Sequence, residues 1–167
     1  MYSQKKKSNK VIIPLVMMLL MSTTSHAKAH NQTEEEKVCL AKVIYHEARG
    51  EPEVGKRSVA KIVINRKQHK RFPKTICQVV NQIAFVGKKK VCQFSWVCNR
   101  PKLDASSDSW EDSLALSNAI LNNQVKLPNF GPDVLFFRST SSRQSFGKGY
   151  KFVSRVGNAK FYEKKII

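Results

Sequence analysis

The chain has 167 residues, with 30 Lys and Arg against 12 Asp and Glu, a formal net charge of +18 and 41% apolar residues. That is one domain's worth of sequence, enough to bury a single core, and no internal repeat or low-complexity segment argues for a solenoid or a tail. The positive excess points either to a polyanionic partner or only to a well-solvated surface, and charge alone does not separate the two.

Residues 1–29 read as a secretory signal outside the folded domain. Lys5, Lys6, Lys7 and Lys10 form a positive n-region, Val11 to Met21 an apolar run interrupted by Pro14, and Ala27-Lys28-Ala29 a small-residue cleavage site. The run is short for a membrane span, so a removed signal is preferred to an uncleaved anchor, and no stable membrane insertion is expected after cleavage. Residues 30–167 are then the mature domain, exported to the periplasm or secreted. Outside the cytoplasm the polyanions within reach are peptidoglycan, with its peptide carboxylates, and lipopolysaccharide; nucleic acid is not the expected partner.

Four cysteines, Cys39, Cys77, Cys92 and Cys98, remain in the exported part. An even count in an oxidising compartment favours disulfides. Three pairings exist; Cys92–Cys98 as a local loop with Cys39–Cys77 as the long tie is favoured, and Cys77–Cys98 or Cys77–Cys92 stay open. No two are spaced as a structural zinc site usually requires.

The acidic run Glu34-Glu35-Glu36 suits a helix N-terminus. Leu40, Ala41, Ile44, Tyr45 and Ala48 recur at helical steps, and Gly50 and Pro52 stop that helix. Val54, Val59, Ile62, Val63 and Arg66 define a second amphipathic helix. Glu47 falls on the last turn of the first. There a half-buried carboxylate is poorly solvated and feels the negative end of the helix dipole, so its pKa rises toward what a general acid near neutral pH requires.

Lys67 to Lys74 is a basic connection with an extended turn at Phe72-Pro73. Thr75 reads as the N-cap of a short helix through Asn81 that buries Ile76, Val79 and Val80. Gly87-Lys88-Lys89-Lys90 reads as a solvated tip, and Asn99 to Asp108 as a loop. Trp110, Leu114, Ala115, Ile120 and Leu121 define a core helix to about Asn123, without chemistry of its own. After breaks at Pro128 and Gly131-Pro132, Val134 to Phe137 reads as a short buried strand. Ser139 to Ser145 is a polar loop able to cover a groove. Phe152 to Val156, Gly157-Asn158 and Lys160 to Tyr162 read as a closing β-hairpin.

Several chemistries fail on spacing. His46-Glu47 opens like a zinc-protease motif, but Gly50 stands where the second histidine is needed. No G-x-S-x-G occurs, and Gly147-Lys148-Gly149 is not a phosphate-binding loop. No metal and no organic cofactor is expected.

The run LAKVIYHEARGEPEVGKRSVAKIVINR, followed by RFPKTICQVV and CQFSWVC, resembles the SleB/CwlJ-type cell-wall hydrolases, known from spore-cortex-lytic enzymes with relatives in Gram-negative bacteria. The resemblance is strong from Cys39 to Trp96 and looser to Tyr162. It implies a mainly α (α+β), lysozyme-like single domain with a small β-hairpin near the C-terminus. It also implies action on peptidoglycan glycan strands, with Glu47 at the catalytic position. Gln93, Phe94, Ser95 and Trp96 would then line a sugar-binding wall, with Tyr45, Arg49, Glu51 and Asn65 supporting the site; Arg49 would orient Glu51, and Asn65 would bond across the turn. Relatives often carry histidine where this chain has Arg138, and tryptophan near Phe146.

Glycoside cleavage normally uses two carboxylates. Glu51, Glu53, Asp104 and Asp108 are the available seconds, and Glu51 is better read as pairing with Arg49 or capping the next helix. A single-glutamate route making a 1,6-anhydro end, that of a lytic transglycosylase, is preferred. Muramidase-type hydrolysis by water, or a non-catalytic basic wall-binding protein, are the alternatives.

Overall fold

A computed structural model describes the backbone of residues 23–143 and 146–165, and side chains from residue 33 onward. The positive n-region and apolar run of the signal lie outside the described residues. Ten elements follow in order: α1 (Thr23–Ala48), α2 (Glu53–Gln68), α3 (Ile76–Val80), β1 (Ile83–Val86), β2 (Lys89–Cys92), α4 (Ser95–Asn99), α5 (Asp108–Leu121), β3 (Val134–Ser139), β4 (Tyr150–Val156) and β5 (Ala159–Lys164). Thr33–Ile167 form one compact unit. No helix among the described residues is long and apolar enough to cross a membrane.

Helix α1 buries two adjoining faces. Leu40, Val43, Ile44 and Ala48 enter the main core, whereas Ala41 and Tyr45 turn toward α5, where the Tyr45 ring meets Trp110 edge-on at 5.9 Å. The acidic run therefore sits within α1 and not at its start. Glu36 instead serves the beginning of another helix: its carboxylate accepts the Ile76 backbone N–H of α3 at 2.9 Å and Lys67 Nζ at 3.0 Å. In α2 the buried stripe is Gly55, Val59, Ile62 and Arg66, spaced four, three and four. Val54 lies off that stripe and is 45% exposed, contrary to the sequence reading. Thr75 caps α3 as expected, its hydroxyl accepting the Gln78 N–H at 3.2 Å over buried Ile76, Val79 and Val80.

Both favoured disulfides are present. Cys39–Cys77 ties α1 to α3 and Cys92–Cys98 closes the loop that carries α4. The lysine-rich tip proves to be a hairpin: β1 and β2 pair antiparallel across Gly87-Lys88, with Gly87 at φ 60° supplying the left-handed conformation such a turn requires. Helix α5 is pinned to α1 where the buried Ser117 hydroxyl donates to the Lys37 carbonyl at 2.8 Å. Ala115 faces solvent, so the apolar stripe of α5 is narrower than its sequence indicates.

The C-terminal hairpin is two-thirds of a three-stranded antiparallel sheet in the order β3-β5-β4. Its inner face sends Leu135 and Phe161 into the core. Strand β3 is an edge, and an edge beside buried helices leaves carbonyls to be satisfied. The side chains of α2 do this: Asn65 Nδ2 donates to the Gly131 and Val134 carbonyls at 2.9 and 3.0 Å, and Arg66 Nε donates to the Leu135 carbonyl at 2.8 Å. Asn65 thus bonds to the sheet, not across the α1–α2 turn.

Candidate active site

Glu47 occupies the last turn of α1 because Leu40, Ile44 and Ala48 fix that helix face against the core. Its carboxyl is half-buried between α2 and the QFSW segment. Burial raises its pKa from the usual 4.5, while the Trp96 indole N–H and the Arg66 guanidinium pull it back down. The Trp96 indole N–H is buried without a hydrogen-bond partner, which leaves it available to the Glu47 carboxyl. A carboxyl so placed can carry a proton at higher pH than an exposed one and keeps two partners for the charge left after donation.

Arg66 is buried, and desolvation lowers it to about 10 while Glu47 opposes the shift, so it stays charged at neutral pH. Its guanidinium lies over the rings of Phe94 at 5.5 Å, Phe72 at 5.6 Å and Phe136 at 6.0 Å. Sequence periodicity marked Arg66 only as a stripe residue. The available signal was a permanently charged residue on an apolar stripe, a position that requires a partner.

Trp96 has two ring neighbours. His46 stacks on it at 4.6 Å and 24°, and Phe94 stacks at 5.8 Å and 28°. Burial and the nearby charges of Arg49 and Lys42 lower the His46 pKa, so a neutral ring covers the indole. His46 had no assigned role in the sequence. Phe94 is buried beneath Trp96, Gln93 is half-buried and Ser95 is exposed, so only part of the segment faces outward.

Three of the expected supports make their contacts elsewhere. Tyr45 belongs to the α1–α5 contact, and exposed Arg49 lies over its ring at 4.9 Å instead of orienting Glu51. Glu51 reaches across to the β4–β5 turn, where Oε2 accepts the Asn158 N–H at 3.0 Å. Two glycines make room for it: a Cβ at Gly157, which has φ +55°, would stand 2.0 Å from Glu51 Oε2, and one at Gly55 2.8 Å from Glu51 Cβ. The other candidate acids lie on other elements. Glu53 pairs with Arg57 at 3.3 Å, Asp104 accepts from Ser106 at 2.8 Å, and exposed Asp108 opens α5. Among the described residues no group of His, Cys, Asp and Glu is arranged to hold a metal ion.

The model of a family described as cell wall hydrolase matches residues 50–162, most of the chain. The chain belongs to this family. As a cell wall hydrolase it carries Glu51, the INR segment of α2, QFSW and all of the sheet but the last two residues of β5 inside the matched stretch, which begins just after Glu47. The fold is similar to the catalytic domain of the germination-specific lytic transglycosylase SleB from Bacillus anthracis, with 19% identity, a TM-score of 0.51, and coverage of 75% of this chain and 92% of that one. The catalytic domain of the Bacillus cereus SleB protein is similar at 20% identity and a TM-score of 0.49, over 76% of this chain and 89% of that one. No match was found among curated proteins.

Proposed function

We propose that this cell wall hydrolase cuts peptidoglycan glycan strands between N-acetylmuramic acid and N-acetylglucosamine as a lytic transglycosylase, with Glu47 as its only acid and base. The observation that carries this reading is the isolation of Glu47. Burial raises the pKa of its half-buried carboxyl, and the groups that act on it are Trp96 and Arg66, not a second acid. An inverting or retaining hydrolase needs a carboxylate across the scissile bond; Glu51, Glu53 and Asp104 have partners elsewhere, and Asp108 stands exposed at the start of α5. The similarity in fold to a protein described as a lytic transglycosylase agrees with this reading.

In the proposed route the Glu47 carboxyl gives its proton to the glycosidic oxygen, and the bond from that oxygen to C1 of the muramic acid breaks. N-acetylglucosamine leaves with a free hydroxyl. Arg66 and the Trp96 N–H hold the new carboxylate while positive charge develops at C1. The carboxylate then takes the proton of the C6 hydroxyl as that oxygen bonds to C1, closing the 1,6-anhydro ring and restoring the acid. No water, metal or cofactor is consumed. The signal-like pattern of residues 1–29 and the two disulfides support action outside the cytoplasm.

The test is Glu47→Gln, nearly isosteric but without a carboxyl proton. It should fold and bind sacculi, yet release muropeptides at least about a hundredfold more slowly. Turnover at the wild-type rate removes Glu47 from the mechanism, and a wild-type protein that binds sacculi in a salt-sensitive way but releases nothing is a wall-binding protein.

A further inference from the structure

The sheet presents a second surface that the proposed chemistry does not use. Its register sets Phe136, Tyr162 and Phe152 side by side across the three strands, and next to them Arg138, Lys160 and Arg155. All six lie on the face opposite Leu135 and Phe161, which fill the core. The β4 irregularity between Phe152 and Ser154 returns Arg155 to the face of Phe152.

Like charges directly opposite one another destabilise a sheet, and here three stand in one row. The only acid in the three strands, Glu163, is paired with Lys151 at 2.9 Å. The Arg138 guanidinium lies over the rings of Phe146 at 5.6 Å and Tyr162 at 5.5 Å, and its Nε donates to the Tyr162 hydroxyl at 3.3 Å. One further Arg138 nitrogen, Nη1, has no acceptor. Phe152 is 54% exposed at the far strand. A guanidinium against two rings, in a cationic row without acids, is suited to a carboxylate that arrives from outside.

We propose that this face binds the anionic glycan strand itself, a sugar ring stacking on exposed Phe152 beside the Phe146-covered rings of Phe136 and Tyr162, and muramic acid or stem-peptide carboxylates meeting Arg138, Lys160 and Arg155. The inference rests on the glycan-cleaving reading above and extends it to substrate hold. Two strand spacings give the platform a width of about 10 Å. It starts at the β3 edge, where Phe136 lies 6.0 Å from the guanidinium of Arg66, the same charge that acts on Glu47. The alternation of flat rings with charges favours a carboxylated sugar over a general polyanion.

The experiment uses the Glu47→Gln chain in co-sedimentation with purified sacculi, so binding is read without chemistry; activity retained by Glu47→Gln refutes the catalytic reading alone. Adding Lys160→Gln and Arg155→Gln should weaken sacculus binding about tenfold, and should raise the melting temperature because like charges are relieved. On sacculi whose carboxylates have been amidated, this pair should make no difference. Phe152→Ala, which removes an exposed ring, should weaken binding to both kinds of sacculus. Unchanged affinity in the charge pair, an equal loss on amidated sacculi, or displacement of the protein by double-stranded DNA as readily as by soluble glycan fragments overturns the proposal.

Discussion

Replacing Glu51 with alanine separates a one-glutamate site from a two-carboxylate site. The carboxylate makes one hydrogen bond across the molecule, to the Asn158 N–H at 3.0 Å, and joins the α1–α2 turn to the β4–β5 turn. A charge-assisted bond of this kind contributes about 1.5–3 kcal/mol when sheltered. This one is exposed and water can replace the acceptor, so about 1.5 kcal/mol is the expected loss. In a domain of this size that lowers the melting temperature by about 5 °C. Activity should stay within a few-fold of wild type, because Glu51 touches neither Trp96 nor Arg66. Gly157→Ala should give the same phenotype by pushing Glu51 out, as its Cβ would lie 2.0 Å from Oε2 and its φ is +55°. The two changes combined should cost less than their sum, since both remove one contact. Thermal melts and turbidity loss of a sacculus suspension measure both quantities. A drop of about a thousandfold in activity with an unchanged melting temperature refutes the argument and makes Glu51 the second carboxylate.

Glu47→Gln should also change stability with a defined sign. The folded state raises the Glu47 pKa above 4.5, so wild-type stability falls as pH rises through that raised value. The variant lacks this loss; denaturant titrations should find it more stable than wild type at pH 8 and no longer favoured below the ordinary carboxylate range. Arg66→Met removes the cation that lowers Glu47, so the pH at which activity falls on the alkaline side should move upward. It also takes the donor from the buried Leu135 carbonyl, at a cost of about 3 kcal/mol measured by urea unfolding. Converting Cys39 and Cys77 to alanine opens a tie across 38 residues, for which chain entropy gives about 4 kcal/mol of lost stability. Removing Cys92–Cys98, across 6 residues, should cost about half as much.

What the sequence revealed was local. The end of α1 at Gly50-Pro52, the Thr75 cap, and the Gly157-Asn158 turn each depend on neighbours a few residues apart, and each is where the spacing put it. The β1–β2 hairpin was hidden because three lysines masked a two-residue turn at Gly87-Lys88. Its flanking strands are exposed throughout β1 and nearly so in β2, so no burial pattern marked them. The partners of Asn65, Arg66 and Glu51 lie 66 to 107 residues away, and no periodicity reports which carbonyl or N–H a side chain will meet. Tyr45, read as support for the site, meets Trp110 of α5 edge-on, a contact between two helices that no local pattern reports. The position of Glu47 was legible, while the partners that define its chemistry, Arg66 and the His46-covered Trp96, required the fold.

The most direct measurement is mass spectrometry of muropeptides released from purified sacculi in heavy-oxygen water. A lone Glu47 that turns the C6 hydroxyl on C1 predicts 1,6-anhydro ends with no heavy oxygen, and their absence from a Glu47→Gln digest. Reducing ends that carry heavy oxygen at C1 contradict it.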